Sequence, residues 1–333
     1  MKVLVTGTAG FIGFHLAKLL LKEGFVVHGY DGITDYYNVT LKKKRHEILS
    51  SNKNFSKTEA MLENQDALAK VFSDFEPTIV VHLAAQAGVR YSLENPRSYI
   101  DSNIVGTFNV MDLARRHEIK HLLMASTSSA YGANEDMPFE ELQKADTQLT
   151  IYAATKKANE NMGHSYAHIY RLPTTMFRFF TVYGPWGRPD MALFKFTKGI
   201  IEGNPIDIYN NGAMSRDFTY VDDLVNGIRG LIDAVPCIGK NCGPSDSLSR
   251  VAPFRIVNIG NSQQIPLLDF IDAIENEVGK SANRNYMPMQ TGDVPATHAN
   301  IALLKRLTGF QPKTDYKLGV KKFVEWYRSY YEV

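Results

Sequence analysis

The feature that most constrains this chain is a glycine-rich turn near its N-terminus, placed between a predicted strand and a predicted helix. The apolar residues 2–6 predict the strand, residues 7–13 read Gly-Thr-Ala-Gly-Phe-Ile-Gly, and residues 14–21 predict the helix. Glycines let the backbone turn tightly and approach an anion, and a helix N-terminus offers unpaired N–H groups. The turn therefore predicts a binding site for a pyrophosphate group, with Gly13 allowing the helix to pack closely on the sheet.

A second apolar strand, predicted over residues 25–30, ends at Asp31. A carboxylate at this point accepts hydrogen bonds from the ribose hydroxyls of an adenosine. It would repel a 2′-phosphate, so we predict NAD rather than NADP as the cofactor. A glycine turn that serves only helix packing is the alternative, and the order strand, turn, helix, strand and acid argues against it.

Charge, cysteine spacing and hydropathy exclude several other functions. The 333 residues carry 37 basic and 35 acidic side chains, a formal net charge of +2, so neither a nucleic-acid nor a membrane surface is expected. The sequence has no signal-peptide pattern and no apolar run of membrane-spanning length, which predicts a cytoplasmic protein. Cys237 and Cys242 have neither zinc-site nor redox-pair spacing, so free thiols and no metal are expected. The basic run at residues 42–45 is expected to form a solvated helix face.

Short apolar strands alternate with helical patterns after Asp31. Helices are predicted over residues 66–75, 96–117 and about 150–170, and strands over 78–83, 121–125, 174–180 and 254–260. Strands that are apolar throughout, between helices, indicate a parallel sheet covered on both faces. We therefore predict a doubly wound α/β (Rossmann) fold, whose ligands bind beyond the carboxyl ends of the strands.

The later part of the chain is less regular and predicts a second, smaller lobe. We assign residues 1–181, together with 218–234 and 254–260, to the dinucleotide-binding domain. Residues 182–217 and 261–333 are assigned to a smaller α/β substrate-binding lobe, which makes the two units interleaved in sequence.

Hydroxyl side chains gather where the predicted strand 121–125 ends, at residues 126–129. They could merely cap the next turn, but four together at the ligand edge of a sheet favour a substrate surface. The following helix carries Tyr152 and Lys156, which share a face because they are four residues apart. A tyrosine with a free pKa of about 10 becomes a better base when a nearby ammonium and an oxidised nicotinamide favour its phenolate. We therefore predict that this pair is catalytic.

Arg216 precedes a predicted extended stretch in the smaller lobe. A surface salt bridge is the simplest interpretation, but a lobe that must hold the substrate favours a phosphate contact. Phe194, Phe196 and Tyr209 could stack on a base, and for each of them the core of the lobe is the better prediction.

Three longer segments carry a family resemblance. They are residues 84–92, Ala-Ala-Gln-Ala-Gly-Val-Arg-Tyr-Ser; 178–192, which begins Arg-Phe-Phe-Thr-Val-Tyr-Gly-Pro-Trp-Gly-Arg-Pro; and 292–297, Gly-Asp-Val-Pro-Ala-Thr. With the glycine turn and the Tyr-x-x-x-Lys helix, the chain resembles the extended short-chain dehydrogenase/reductases, and among them the epimerases and dehydratases of nucleotide sugars. The three segments look most like those of the UDP-glucuronate 4-epimerases.

The resemblance implies roles for individual residues. Catalysis is expected from Thr127, Tyr152 as the base, and Lys156, which would also bind the nicotinamide ribose. The cofactor-binding residues would be Gly7, Gly10, Phe11, Ile12, Gly13, Asp31, Leu83, Ala84, Ala85, Tyr152 and Lys156. The substrate-binding residues would be Arg90, Thr127, Ser128, Ser129, Thr181, Arg188, Arg216 and Asp293, with Arg216 on the UDP diphosphate.

Further consequences of the resemblance concern supporting residues and assembly. Asn103 would support the active-site helix, and a homodimer would form through a four-helix interface of residues 96–117 and 150–170. Two positions depart from the pattern of many relatives. Met61 stands where many of them carry an aspartate for the adenine, and Thr181 stands where glucose epimerases tend to have asparagine.

The implied reaction is the NAD-dependent interconversion of UDP-glucuronate and UDP-galacturonate through a 4-keto sugar. Related dehydratases and a decarboxylase place acids beside the catalytic threonine, whereas here Ser128 and Ser129 follow it. Four alternatives stay open: a UDP-glucose or UDP-N-acetylglucosamine 4-epimerase, a UDP-glucuronate decarboxylase, a dehydrogenase that releases a keto product, and a non-catalytic NAD-binding sensor.

Overall fold

A seven-stranded parallel sheet lies at the centre of the computed structural model, which describes residues 1–333. The strands are β1 (Lys2–Thr6), β2 (Val26–Asp31), β3 (Phe55–Glu59), β4 (Ile79–His82), β5 (His121–Thr127), β6 (Thr174–Phe179), β7 (Thr181–Tyr183), β8 (Pro205–Ile208), β9 (Ser215–Tyr220), β10 (Phe254–Ile259), β11 (Gln264–Pro266) and β12 (Asn283–Tyr286). The order across the large sheet is β10-β6-β5-β4-β1-β2-β3, and every neighbouring pair is parallel. This order confirms the doubly wound α/β fold.

Helices connect the strands and cover both faces of this sheet. They are α1 (Phe11–Lys22), α2 (Val39–Ser50), α3 (Gln65–Phe75), α4 (Tyr91–Glu94), α5 (Pro96–Tyr99), α6 (Thr107–Arg116), α7 (Ile151–Tyr170), α8 (Ala192–Glu202), α9 (Val221–Asp233), α10 (Leu267–Val278), α11 (Ala302–Thr308) and α12 (Tyr316–Tyr331). A π-helical segment, Ile100–Gly106, joins α5 to α6, so the predicted long helix is continuous but not regular.

The two faces of the sheet have separate apolar cores. Val3 and Val5 of β1 pack in one cluster with residues of α1 and α9, whereas Leu4 between them packs in a second cluster with residues of α3 and α6. Successive side chains of a strand point to opposite faces, so a strand that is apolar throughout needs a helical layer on each side. The apolar runs in the sequence predicted this arrangement.

A third apolar core lies between a three-stranded sheet, β11-β9-β7, a two-stranded sheet, β12-β8, and the helices α8, α10 and α12. Phe218 of β9 and Phe270 of α10 stack with ring centroids 3.9 Å apart. Phe194 and Phe196 belong to this core, as predicted. Tyr209 instead lies beside Arg90, whose guanidinium is 4.7 Å from the ring centroid.

The prediction that residues 42–45 form a solvated face is wrong for two of the four side chains. Lys42 and Arg45 are 5% and 0% exposed, and only Lys43 and Lys44 face solvent. The buried side of α2 meets backbone carbonyls of neighbouring loops, to which both cations donate hydrogen bonds. Charge alone could not reveal these acceptors.

Both cysteines are unpaired, as expected. None of the helices combines the length and the apolar composition needed to cross a lipid bilayer.

Candidate active site

The glycine turn connects β1 to α1 and has no room for side chains at two of its positions. Gly7 has φ +80°, and a Cβ there would lie 2.8 Å from the backbone nitrogen of Ala84. A Cβ on Gly13 would lie 2.0 Å from the Gly7 carbonyl oxygen. Helix α1 begins at Phe11, and Gly10 before it provides no side-chain cap for the first amides. The turn thus has the close backbone approach and the free N–H groups that a pyrophosphate needs.

Asp31 holds the turn from the end of β2. Its Oδ2 accepts a hydrogen bond from Ala9 N at 2.9 Å, and its Oδ1 accepts one from Ile33 N at 2.9 Å. A carboxylate has about four lone-pair sites, so acceptor capacity remains for two ribose hydroxyls. The geometry therefore fits the adenosine end of NAD.

Met61 lies near the same end. The hydroxyl of Tyr30 donates to the Met61 carbonyl oxygen at 2.9 Å. A Cβ on Gly32 would lie only 2.4 Å from the Met61 sulfur. The side chain is 40% exposed. Met61 therefore presents a flexible thioether, and not a carboxylate, at this end of the cleft.

The predicted catalytic residues meet at the ends of β5 and α7. Thr150 caps α7 by accepting a hydrogen bond from Ala153 N at 3.2 Å, which fixes the first turn of the helix. Lys156 Nζ donates to the Ala125 carbonyl oxygen at 3.0 Å. Tyr152 and Thr127 line the same cleft, and the side chain of Thr127 is close enough to affect the pKa of Tyr152. The structure thus brings together all three residues that the sequence selected.

Burial controls the acid–base properties of this group. It raises the pKa of Tyr152, while the polar side chain of Thr127 and the positive charge of Arg188 oppose the rise. Burial also lowers the pKa of Lys156 to about 8. The sequence predicted that Lys156 would lower the pKa of the phenol; here its ammonium is directed to Ala125, and the opposing charge comes from Arg188.

Asn103 links the loop after β4 to the active-site helix. Its side chain accepts from Gln86 N at 2.8 Å and donates to the Gln86 carbonyl at 3.0 Å. It also donates to Thr155 Oγ1 in α7 at 3.1 Å. These contacts give Asn103 the supporting place that the resemblance implied.

Of the four consecutive hydroxyl residues, one has a separate structural contact. Ser126 donates to Glu160 Oε1 at 2.6 Å in the interior. Thr127 accepts from Ser129 N at 3.1 Å and so begins the short turn that presents Ser128 and Ser129. With Thr181 at the start of β7, these side chains border the cleft next to Tyr152.

Three arginines border the same cleft. Arg90 pairs with Asp293 at 3.4 Å. Burial and the nearby charge of Arg90 lower the pKa of Arg216, while Asp293 raises it, which places the two cations close together. Two neighbouring guanidinium groups are suited to bind a diphosphate. Arg188 instead forms an ion pair with Asp190, and its guanidinium is 5.9 Å from the ring centroid of Tyr36.

One cleft of about 770 Å³ connects all these groups. It is lined by every predicted site residue: Gly7, Gly10, Phe11, Ile12, Gly13, Asp31, Leu83, Ala84, Ala85, Arg90, Thr127, Ser128, Ser129, Tyr152, Lys156, Thr181, Arg188, Arg216 and Asp293. Sequence reasoning missed Tyr36 and Lys42, which also line the cleft, and it favoured the core for Tyr209, which lines the cleft too. The sequence pattern specifies neither the loop of Tyr36 nor the side of α2 that is buried.

Comparison with known proteins gives one consistent family. A family model described as the NAD dependent epimerase/dehydratase family matches residues 3–241. The chain is 56% identical over 334 residues to a probable UDP-glucuronate 4-epimerase of Rhizobium meliloti (strain 1021), covering 99% of this chain and 98% of that protein.

Solved structures agree with this result. The fold is similar to that of a UDP-glucuronic acid 4-epimerase from Bacillus cereus in complex with UDP-glucuronic acid and NAD, with a TM-score of 0.89, 31% identity, and coverage of 99% of this chain and 100% of that chain. It is also similar to a UDP-glucose 4-epimerase from Thermotoga maritima with UDP-glucose, with a TM-score of 0.86, 26% identity, and coverage of 99% and 100%. The chain therefore belongs to the NAD-dependent epimerase/dehydratase family.

Proposed function

We propose that the protein is an NAD-dependent 4-epimerase that interconverts UDP-glucuronate and UDP-galacturonate. The observation that carries this proposal is the set of hydroxyl groups around Tyr152, contributed by Thr127, Ser128, Ser129 and Thr181. Hydroxyl groups donate hydrogen bonds to a sugar carboxylate but cannot act as acids or bases near neutral pH. The Rhizobium relative and the Bacillus structure, both named for the glucuronate reaction, support the same substrate.

The residues present fit the cofactor. The glycine turn and the N-terminus of α1 would hold the pyrophosphate, Asp31 the adenosine ribose, and Lys156 the nicotinamide ribose. When bound, NAD supplies the redox chemistry by accepting a hydride from C4 of the sugar and returning it to the other face. The enzyme then produces no net oxidation.

Tyr152 handles the proton that accompanies this chemistry. Its phenolate takes the proton from the 4-hydroxyl of the sugar and later returns it to the same oxygen. Thr127, which lines the cleft with Tyr152, would orient the sugar hydroxyl by hydrogen bonding. The positive charge of Arg188 favours the phenolate against the effect of burial.

A glucuronate substrate has a particular hazard, because its 4-keto form is a β-keto acid that can lose carbon dioxide. The hydroxyl groups of Ser128, Ser129 and Thr181 would hold the carboxylate where the breaking C–C bond overlaps poorly with the carbonyl π system. Arg90 and Arg216 would anchor the UDP diphosphate, about which the keto sugar turns to present its other face.

The experiment is to incubate the purified protein with UDP-glucuronate and follow the sugar by NMR and the carbon dioxide released. UDP-galacturonate without gas is the expected result. A pentose product with gas would make the enzyme a decarboxylase. No reaction with added NAD, together with conversion of UDP-glucose, would replace glucuronate by a neutral hexose.

Homodimer formation is part of the same proposal. Apolar side chains on the π-helical segment, α6 and α7 are 41–62% exposed: Ile100, Val105, Phe108, Ile151 and Ile169. Phe108 and Tyr166 bring α6 against α7, with ring centroids 6.4 Å apart. Two such helix pairs would bury these side chains in a four-helix interface.

The cytoplasmic location stays a prediction.

A further inference from the structure

Arg45 of α2 has a buried guanidinium group directly behind the glycine turn. Its side chain is 0% exposed. Nη1 donates to the Ala9 carbonyl oxygen at 2.7 Å and to the Tyr37 hydroxyl at 2.8 Å, and Nη2 donates to the Trp186 carbonyl oxygen at 2.6 Å. Nε has no hydrogen-bond partner. Arg45 therefore connects the glycine turn to the loop that contains Trp186, which lies 141 residues after Arg45.

The other deeply buried arginines of this protein provide a comparison. Arg178 is 1% exposed and pairs through two hydrogen bonds with Glu160, and Arg255 is 3% exposed and pairs in the same way with Asp246. Arg45 forms no ion pair and is bound only by carbonyl groups and a phenol. A buried charge is costly without a charged partner, so Arg45 needs a negative charge from another source.

No nearby carboxylate forms an ion pair with Arg45. Lys42 and Arg188 add positive charge to the same end of the cleft, and Asp190 is paired with Arg188. Asp31 and Asp35 carry the negative charges near Lys42, and the oxygens of Asp31 bind the amides of Ala9 and Ile33 rather than Arg45. A pyrophosphate on the glycine turn would add negative charge next to the Ala9 peptide that Arg45 binds.

The second amino group of Arg45 acts on the loop before Arg188. Trp186 has φ +61°, a left-handed conformation that is uncommon for a bulky residue, and its carbonyl is held by Arg45. His15 of α1 hydrogen-bonds the carbonyl of the preceding Pro185 at 2.9 Å. The loop is thus fixed from the cofactor side of the molecule, two residues before Arg188, which lines the same cleft as Tyr152.

We propose that Arg45 is a positioning residue that couples NAD binding to the placement of Arg188. Its charge stabilises the bound pyrophosphate through the Ala9 peptide, and the same guanidinium holds the Trp186–Gly187 backbone from which Arg188 extends. This goes beyond the proposed function, because it depends on NAD and not on which UDP-sugar reacts.

The first test measures NAD binding without any sugar. Arg45→Met and Arg45→Lys proteins are stripped of nucleotide, and the Kd for NAD is measured by calorimetry. The Met variant should bind NAD about tenfold more weakly or worse, a typical size for coupling between two sites. The Lys variant, which keeps the charge, should recover most of the affinity. If Arg45→Met does not fold, Arg45→Gln replaces it.

Matched controls separate this role from a loss of folding stability. Arg255→Met and Arg255→Lys alter an equally buried arginine at the edge of the sheet, and they should lower Tm while leaving the Kd for NAD unchanged. The proposal would be overturned if Arg45→Met or Arg45→Gln bound NAD with the wild-type Kd. It would also be overturned if Arg255→Met weakened NAD binding as much as Arg45→Met does.

The second test follows the loop itself. The chain has two tryptophans, Trp186 and Trp326, and their ring centroids are 5.4 Å apart, so intrinsic fluorescence reports on this region. Saturating NAD should shift the emission of the wild type, and the shift should fall by at least half in Arg45→Met. An equal emission shift in both proteins, or no shift in the wild type, would show that Arg45 does not couple NAD binding to this loop. Either outcome is independent of the epimerase assay.

Discussion

At the scale of single residues, the phenol of Tyr152 is the side chain on which the reaction depends most. Tyr152→Phe should lower the epimerisation rate by about 10²- to 10⁴-fold, the usual contribution of a general base, and leave NAD content unchanged. NMR of the sugar gives the rate, and nucleotide released on denaturation gives the content. Tyr170→Phe, an exposed position on the same helix, is the control. A Tyr152→Phe protein with full rate would exclude the phenol as base.

The two serines after Thr127 determine what happens to the carboxylate. Replacing Ser128 and Ser129 together by alanine removes hydrogen bonds to a charged group, each typically about 1.5–3 kcal/mol. We expect a KM for UDP-glucuronate at least tenfold higher, or more carbon dioxide per turnover. Ser51→Ala, at an exposed helix end, should change neither quantity. An unchanged KM and product ratio would count against glucuronate as the substrate.

The residue types in the sequence predicted which side chains line the cleft better than they predicted which side chains are buried. Glycines, hydroxyls and the Tyr-Lys pair were found because their chemistry requires those residue types at those spacings. Lys42 and Arg45 were missed because a cation looks the same in sequence whether it faces water or a carbonyl group. Only the folded loops around Thr34 and Trp186 supply the acceptors.

At the scale of elements, the position of α7 against the sheet brings Tyr152 to Thr127. Glu160, two turns after Tyr152, receives two hydrogen bonds from Arg178 of β6, both at 2.8 Å, and one from Ser126 of β5. The ion pair lowers the pKa of Glu160 against the effect of burial. It therefore fixes the register of the helix on two strands.

Breaking this pair should destabilise the protein strongly. Glu160→Gln leaves Arg178 as an unpaired buried charge, which typically costs about 3–5 kcal/mol. Arg178→Met should cost less, because Glu160 keeps its ion pair with Lys157 at 3.1 Å. The double variant should lose much less of its free energy of unfolding than the two single variants lose together, because neither charge of the pair remains. Urea unfolding of the four proteins gives the cycle. Strictly additive losses would show that the two side chains do not act together.

Elements with a strong apolar pattern were predicted, whereas others, such as β3 and the π-helical segment, were not. The inner strands are buried on both faces, so their sequence is apolar throughout. Strand β3 lies at the edge of the sheet and reads Phe-Ser-Lys-Thr-Glu, with mostly exposed side chains. The π-helical segment around Asn103 depends on hydrogen bonds to Gln86 and Thr155, which are distant in sequence.

At the scale of the whole molecule, one buried carboxyl makes stability depend on pH. Burial raises the pKa of Glu141 from 4.5 to about 7, although Asn258 N donates to it at 2.9 Å. The folded state then holds a proton that the unfolded state releases, so stability is full below about pH 4.5 and falls as the pH rises through 7.

Glu141→Gln should remove the contribution of Glu141 to this dependence, while Asp217, whose pKa burial raises to about 6, keeps its own. Between pH 5 and pH 8 the wild type should lose up to about 3 kcal/mol more of its free energy of unfolding than the variant does. Urea unfolding at the two pH values measures the difference, with Glu140→Gln, an exposed neighbour, as the control. The same pH dependence in Glu141→Gln would assign it to other groups.

Assembly is tested at the same scale. Phe108→Glu places a charge in the proposed helix interface and should convert a dimer to a monomer in sedimentation experiments at micromolar concentration. Leu318→Glu, which alters a comparably exposed side chain on α12, should leave the dimer intact. A monomeric wild type would refute the dimer.

The position of β10 has a consequence for synthesis of the chain. This strand pairs in parallel with β6 along six residues, yet it follows β6 by more than seventy residues, which include β7, β8, β9 and two helices. A ribosome-bound or truncated chain that lacks Phe254–Ile259 exposes the edge of β6 that β10 would cover, and an open apolar edge invites pairing with other chains. The central sheet is therefore completed late in translation, and fragments that stop before β10 carry this open edge.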